Sequence, residues 1–199
     1  MTHGATALVR TFRILALAAA LWVPLTGLAD EYTDVAQLMR SGKTAEAQAR
    51  IDRYLAAKPR DPQMRFLLGV LQSQTGRTSD AIATFTSLTQ EYPELPEPYN
   101  NLAVLYAGQG EIEKARGALE LAVRSNPGYA TAYENLGDIY AELASQSYGR
   151  ARQLDPRNTS VVPKLALIRQ LLGPAVKEPA KPAATGPNPP APGGKSPAG

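Results

Sequence analysis

The chain has no cysteine, and its single histidine and single tryptophan both lie in the first 29 of 199 residues. The missing cysteine excludes disulfides and thiol nucleophiles. Met1 to Ala29 has the layout of a secretory signal: Arg10 and Arg13, the apolar run Ile14 to Leu25, then the small residues Gly27 and Ala29 at −3 and −1 of a cleavage site after Ala29. The run is too short to span a bilayer comfortably and Pro24 interrupts it. Cleavage is therefore expected over retention as an inner-membrane anchor, and the missing cysteine argues against a lipid anchor. The mature chain then has no His, Cys or Trp, which removes the usual zinc ligands and general bases. No cofactor, no metal site and no catalytic residue are expected.

Charge of one sign is also lacking. Without its leader the chain carries 19 basic against 18 acidic residues. The last segment, Gly173 to Gly199, holds three Lys and one Glu, so the remainder is near −1. The basic whole-chain pI of about 9.2 is then no sign of nucleic-acid binding, and none is expected. The segment from Gly173 is Pro, Ala and Gly with few apolar side chains, the composition of a disordered tail with polyproline II character.

What is present is a period of 34 residues. Gly42, Gly76 and Gly110 share a register, as do Ala47, Ala81 and Ala115, then Pro59, Pro93 and Pro127, then Leu68, Leu102 and Leu136. Tyr99 pairs with Tyr133, and Tyr106 with Tyr140. Tyr99, Leu102, Ala103 and Tyr106 fall on one face of a helix, Gly110 offers the positive-φ exit, and Ala115 allows a second helix to approach closely. Such a two-helix unit is apolar on both sides and is buried only by stacking, which predicts a solenoid.

These residues resemble the tetratricopeptide repeat (TPR) family, whose pattern is W-x2-L-G-x2-Y, then A-x3-F, then P. One unit carries Leu68, Gly69, Ala81, Phe85 and Pro93; another carries Tyr133, Leu136, Gly137, Tyr140, Ala144, Tyr148 and Pro156. Arg65 and Gln72 stand where aromatics are usual, and the first unit keeps only Gly42, Ala47, Ile51 and Pro59. The resemblance implies an all-α, right-handed superhelical solenoid with repeats at about 28–61, 62–95, 96–129 and a shortened 130–158. In the last unit Pro156 arrives five residues early and no turn residue lies between Asp138 and Gly149. Tyr133, Leu136, Tyr140, Leu143, Ser147, Ala151 and Leu154 step by three and four, predicting one long helix over about 130–154 with one continuous stripe. A capping helix is expected at about 161–172, with Leu165, Ile168, Leu171 and Leu172 as its stripe.

The family resemblance implies a non-catalytic adaptor that holds a peptide or protein segment in its concave groove. The groove positions in this sequence include Gln63, Phe66, Leu67, Val70, Ser73 and Gln74, then Glu97, Asn100, Asn101, Val104 and Ala107, then Thr131, Glu134, Asn135, Asp138 and Glu142. Related proteins use Asn at the positions of Asn101 and Asn135 to hold a ligand backbone, which an amide can do as both donor and acceptor. Glu134, Asp138 and Glu142 form an acidic ridge, and Phe66, Leu67 and Val70 an apolar patch, so a basic ligand with an apolar anchor suits both. Glu111 and Glu113 are two apart and point to different sides of a helix, and Glu134 and Asp138 sit on an exposed ridge without an apolar pocket, so glycoside hydrolysis is not expected. The alternative is a structural, self-assembling homodimer joined through the long helix. Either product is expected in the periplasm, with membrane contact only through an uncleaved leader.

Overall fold

The computed structural model describes residues 27–173; the leader's first 26 residues and the tail beyond Gly173, with the expectations placed on them, lie outside it. All regular structure in that span is helical. Three hairpins come first: α1 (Gly27–Arg40) with α2 (Thr44–Ala57), α3 (Pro62–Gln74) with α4 (Thr78–Glu91), and α5 (Pro96–Gly108) with α6 (Ile112–Ser125). Then follow a 25-residue helix, α7 (Ala130–Leu154), and a short one, α8 (Val161–Leu171). Among the described residues no helix is long and apolar enough to cross a membrane.

The turns recur because one backbone solution recurs. Gly42, Gly76 and Gly110 have φ of 73°, 75° and 76°, the left-handed region that a side chain resists. The N–H of the following residue then reaches back five positions: Lys43 to Leu38, Arg77 to Gln72 and Glu111 to Tyr106, at 2.9, 2.8 and 2.9 Å. Pro62 and Pro96 open α3 and α5, where a missing N–H costs nothing.

Small residues set the helix spacing. Ala47, Ala81 and Ala115 are fully buried and bring each second helix close to its partner. Gly69 is tighter still: a Cβ there would lie 2.6 Å from the ring of fully buried Phe85. Arg65 and Gln72 show what replaces the usual aromatics. Arg65 donates to both Glu91 carboxylate oxygens at 2.9 and 2.8 Å and to the Ser87 hydroxyl at 2.8 Å, and the Thr84 hydroxyl donates to Gln72 at 2.8 Å. The Arg65 guanidinium pulls Glu91 down to about 2. The first unit, poor in the repeat pattern, has a polar clip instead. The Tyr32 and Tyr54 hydroxyls converge on Asp61 at 2.6 and 3.1 Å, and Asp61 also caps α3 by accepting from the Met64 N–H at 2.8 Å. Arg50 bridges Glu31 and Asp34 of α1 at 3.0 and 2.9 Å.

The helix α7 runs unbroken through Tyr140 to Ser147. Its expected stripe is not buried as one face, however. Ala132, Leu136 and Ile139 are buried, whereas Tyr133 and Tyr140 are half exposed and Leu154 is 71% exposed. The cause is the lost turn. A second helix folded back on the first would have covered the tyrosines and set Tyr148 over Gly137; instead nothing lies within 4 Å of a Cβ built at Gly137. The helix α8 packs on α7, with the Lys164 ammonium 5.1 Å from the centroid of the Tyr148 ring. Val161 and Leu165 are buried and Ile168 half-buried there. Of the two others expected in that stripe, Leu171 is exposed because about 100° per residue carries it off the contact line, and Leu172, in line with Leu165 but at the C-cap, is 36% exposed.

The two helical glycines should respond oppositely to a methyl group. Gly69→Ala should destabilise the protein by about 1–3 kcal/mol through overpacking against Phe85. Gly137→Ala meets open space and should raise stability by up to about 1 kcal/mol through helix propensity. Urea denaturation followed by circular dichroism reads both.

Candidate functional site

The candidate site is the groove side of α3, α5 and α7. Its sequence-predicted residues divide by accessibility. Leu67, Val70, Asn100 and Asn101 are buried between helices, so their side chains serve packing between units. Phe66, Glu97, Val104, Asn135 and Glu142 are half-buried, while Glu134 and Asp138 are exposed. Phe66 leans on Phe85, ring centroids 5.6 Å apart and planes tilted by 53°. The apolar patch is thus mostly absorbed into the core, and of its three residues only Phe66 remains partly accessible; Val104 of α5 is half-buried as well.

The asparagines form a short internal chain. The Asn135 amide donates to the Asn100 side-chain oxygen at 2.7 Å, which ties α7 to α5. The Asn101 amide donates to its own helix at the Glu97 carbonyl, at 2.9 Å. Asn100 is wholly buried, and its own amide nitrogen finds no acceptor. Sequence reasoning misses the pair Asn100–Asn135, because Asn100 occupies the position before the one where asparagine is expected to matter. Of the three, Asn135 alone keeps partial access to the groove.

The electrostatics are one-sided. Within this part of the groove, α5 and the stretch of α7 up to Gly149 carry Glu97, Glu134, Asp138 and Glu142 and no Lys or Arg. None of these four carboxylates is in an ion pair among the described residues. The second helices differ: Glu111 pairs with Lys114, and Glu113 and Glu120 with Arg116 at 2.9 and 2.7 Å. These four groove acids are unpaired, as are Asp52, Asp80 and Glu94 outside the groove, but among the described residues only in the groove do unpaired acids follow one another along a helix, at Glu134, Asp138 and Glu142. Partial desolvation, and then the Glu134 carboxylate, push Asp138 above the usual carboxylate range. Burial, and then Glu97, push the Tyr129 hydroxyl up to about 12. Among the described residues no group of three or more His, Cys, Asp or Glu could hold a metal ion.

Two family models, both described as tetratricopeptide repeat, match residues 37–96 and 74–138. The chain is similar to a thermophilic TPR protein of Thermus thermophilus, at 24% identity and TM-score 0.54, over 73% of this chain and 82% of that one. It is similar to PilF of Pseudomonas aeruginosa, at 17% identity and TM-score 0.54, over 72% and 68%. It is also similar to the Yersinia enterocolitica type III secretion chaperone SycD, solved with a peptide of the translocator YopD, at 18% identity and TM-score 0.52, over 58% and 93%. Comparison with curated proteins gives no match.

Asp138 offers a test of the unpaired acids. Its ionised form is disfavoured in the fold, so its contribution to stability improves as the pH falls through its raised titration range and worsens above it. Asp138→Asn removes both the desolvation and the i,i+4 repulsion from Glu134. At neutral pH it should raise stability by about 0.2–0.5 kcal/mol. Thermal melts of wild type and variant should converge as the pH is lowered into the carboxylate range.

Proposed function

Because the chain belongs to the tetratricopeptide repeat family, we propose that it is a non-catalytic adaptor, exported to the periplasm after cleavage at Ala29, whose groove holds a basic segment of a partner protein. The observation that carries this is the run of four unpaired groove carboxylates with no cation among them. A folded protein rarely keeps like charges side by side on a concave surface without gain, since they repel and resist desolvation. A Lys or Arg of a ligand relieves both costs. That the similar secretion chaperone was solved with a peptide of the translocator supports the general idea of a peptide partner.

Each groove residue has a part in this reading. Glu134, Asp138 and Glu142 step by four along α7 and meet successive cations of the ligand. Phe66 and Val104 supply the accessible apolar surface for an anchor. Asn135, held in place by Asn100, offers its side-chain oxygen to a backbone N–H of the ligand, and that Asn100–Asn135 bond keeps α5 and α7 in register, while Asn101 bonds within α5. A self-associating scaffold is the second reading, favoured by the exposed Leu154 at the rear of α7.

Titration calorimetry with a Lys/Arg-rich peptide carrying one bulky apolar residue tests the groove. Glu134→Gln with Glu142→Gln should weaken binding at least about tenfold, close to 1.4 kcal/mol, and added salt should weaken the wild type further. Asn135→Ala should weaken every peptide alike, because it acts on backbone. Equal affinity for an acidic peptide of the same length would sink the proposal. Light scattering that shows a concentration-dependent dimer, lost on Leu154→Glu at the exposed rear of α7, would favour the scaffold instead.

A further inference from the structure

A helix that closes a repeat stack should be apolar within and polar without, because its outer face meets water. The helix α8 is apolar on both. Val161, Leu165 and Ile168 face α7, and the opposite side presents Pro163, Ala166, Leu167 and Leu171, spaced at i, i+3, i+4 and i+8. All four are exposed, Leu167 at 66% and Leu171 at 71%. Gln170 and Lys164 flank these residues, the Lys164 ammonium turned back over the Tyr148 ring.

The charge around this face is as uneven. Among the described residues, those up to Glu142 carry 16 acidic and 11 basic side chains; those after it carry Arg150, Arg152, Arg157, Lys164 and Arg169 against Asp155 alone. A net of −1 for the whole fold conceals −5 in the repeats and +4 at their C-terminal end. Among the described residues Arg152 and Arg169 have no acidic partner, and Arg157, almost fully exposed, lies 4.0 Å from Asp155.

Three occupants could cover this face, and the charges separate them. A symmetric pairing with a second copy would set +4 against +4. The tail that leaves Gly173 is itself basic and offers only Val176 as a sizeable apolar side chain. An anionic bilayer satisfies both features at once, taking leucines below the headgroup level and arginines at it. We propose that the C-terminal end of the stack, through the outer face of α8, is a docking surface for an anionic lipid membrane. The groove, formed by α3, α5 and the front of α7, stays free to bind protein while the other end rests on lipid.

The absence of cysteine makes a local test direct. Full-length protein with Gln170→Cys, labelled with a polarity-sensitive dye, should shift its emission to the blue on phosphatidylglycerol vesicles and not on phosphatidylcholine vesicles. A label at Gln109→Cys, in the turn after α5, should not shift. Adding Leu167→Glu and Leu171→Glu, both at exposed positions that leave folding intact, should abolish the shift. Arg150→Gln and Arg152→Gln should each weaken the partition about fivefold. The local label separates docking by α8 from insertion by residues 14–25. No shift on anionic vesicles, or an equal shift on neutral ones, overturns the proposal. So does a shift that appears without vesicles as protein concentration rises, which would assign the face to a second copy.

Discussion

Everything in this molecule depends on one packing constraint: a two-helix unit that is apolar on both sides cannot stand alone. Ala47, Ala81 and Ala115 let the helices of a hairpin close up, and the hairpin must then lean on the next. The candidate groove is the side on which the first helices α3, α5 and α7 stack on one another. Its geometry is thus a by-product of how the core is closed. The same constraint explains why Leu67, Val70, Asn100 and Asn101 are buried, although each occupies a position that the repeat pattern assigns to the groove.

Where the stack stops, the constraint is left unsatisfied, and the chain meets it twice by different means. At the start, where little of the repeat pattern survives, Tyr32, Tyr54 and Asp61 form a hydrogen-bonded clip and Arg50 ties down α1. At the other end the turn is lost, Tyr133 and Tyr140 stay half uncovered, and α8 adds a second apolar face instead of closing the first. Opposite charges accumulate on the two functional parts, acids along the groove and cations at the terminus.

Much of this was legible in the sequence because it rests on local rules. A positive-φ glycine every 34 residues, a helix-starting proline and a small residue at the closest approach leave marks that need no tertiary knowledge. The single helix across Tyr140 to Ser147 was legible for the same reason: good helix formers stand where a turn would need Gly, Asn or Pro. What stayed hidden depends on neighbours. Asn100 looks like a groove residue until Asn135 of the next unit is seen to bond it. The stripe through Tyr133, Tyr140 and Leu154 has the right period, yet periodicity shows which residues align and not whether anything covers them. The near-neutral balance misled because a sum over the chain erases position, and the five cations from Arg150 to Arg169 have only Asp155 among them, the other compensating acids lying elsewhere.

The unbroken α7 also has a mechanical side. A 25-residue helix is a rod of about 37 Å, and here one rod is shared by two surfaces. Its front carries Glu134, Asn135 and Asp138 as one wall of the groove; its rear carries α8. A hairpin turn would have isolated the two, whereas a rod makes them a lever, so a tilt imposed at the terminus moves the groove wall. The stiffness of that lever is set at one place. The Ser147 hydroxyl donates to the Leu143 carbonyl at 2.8 Å, a bond that bends helices, and Gly149 follows two residues later. By helix propensity and side-chain bonding, these two residues are the softest point along the rod.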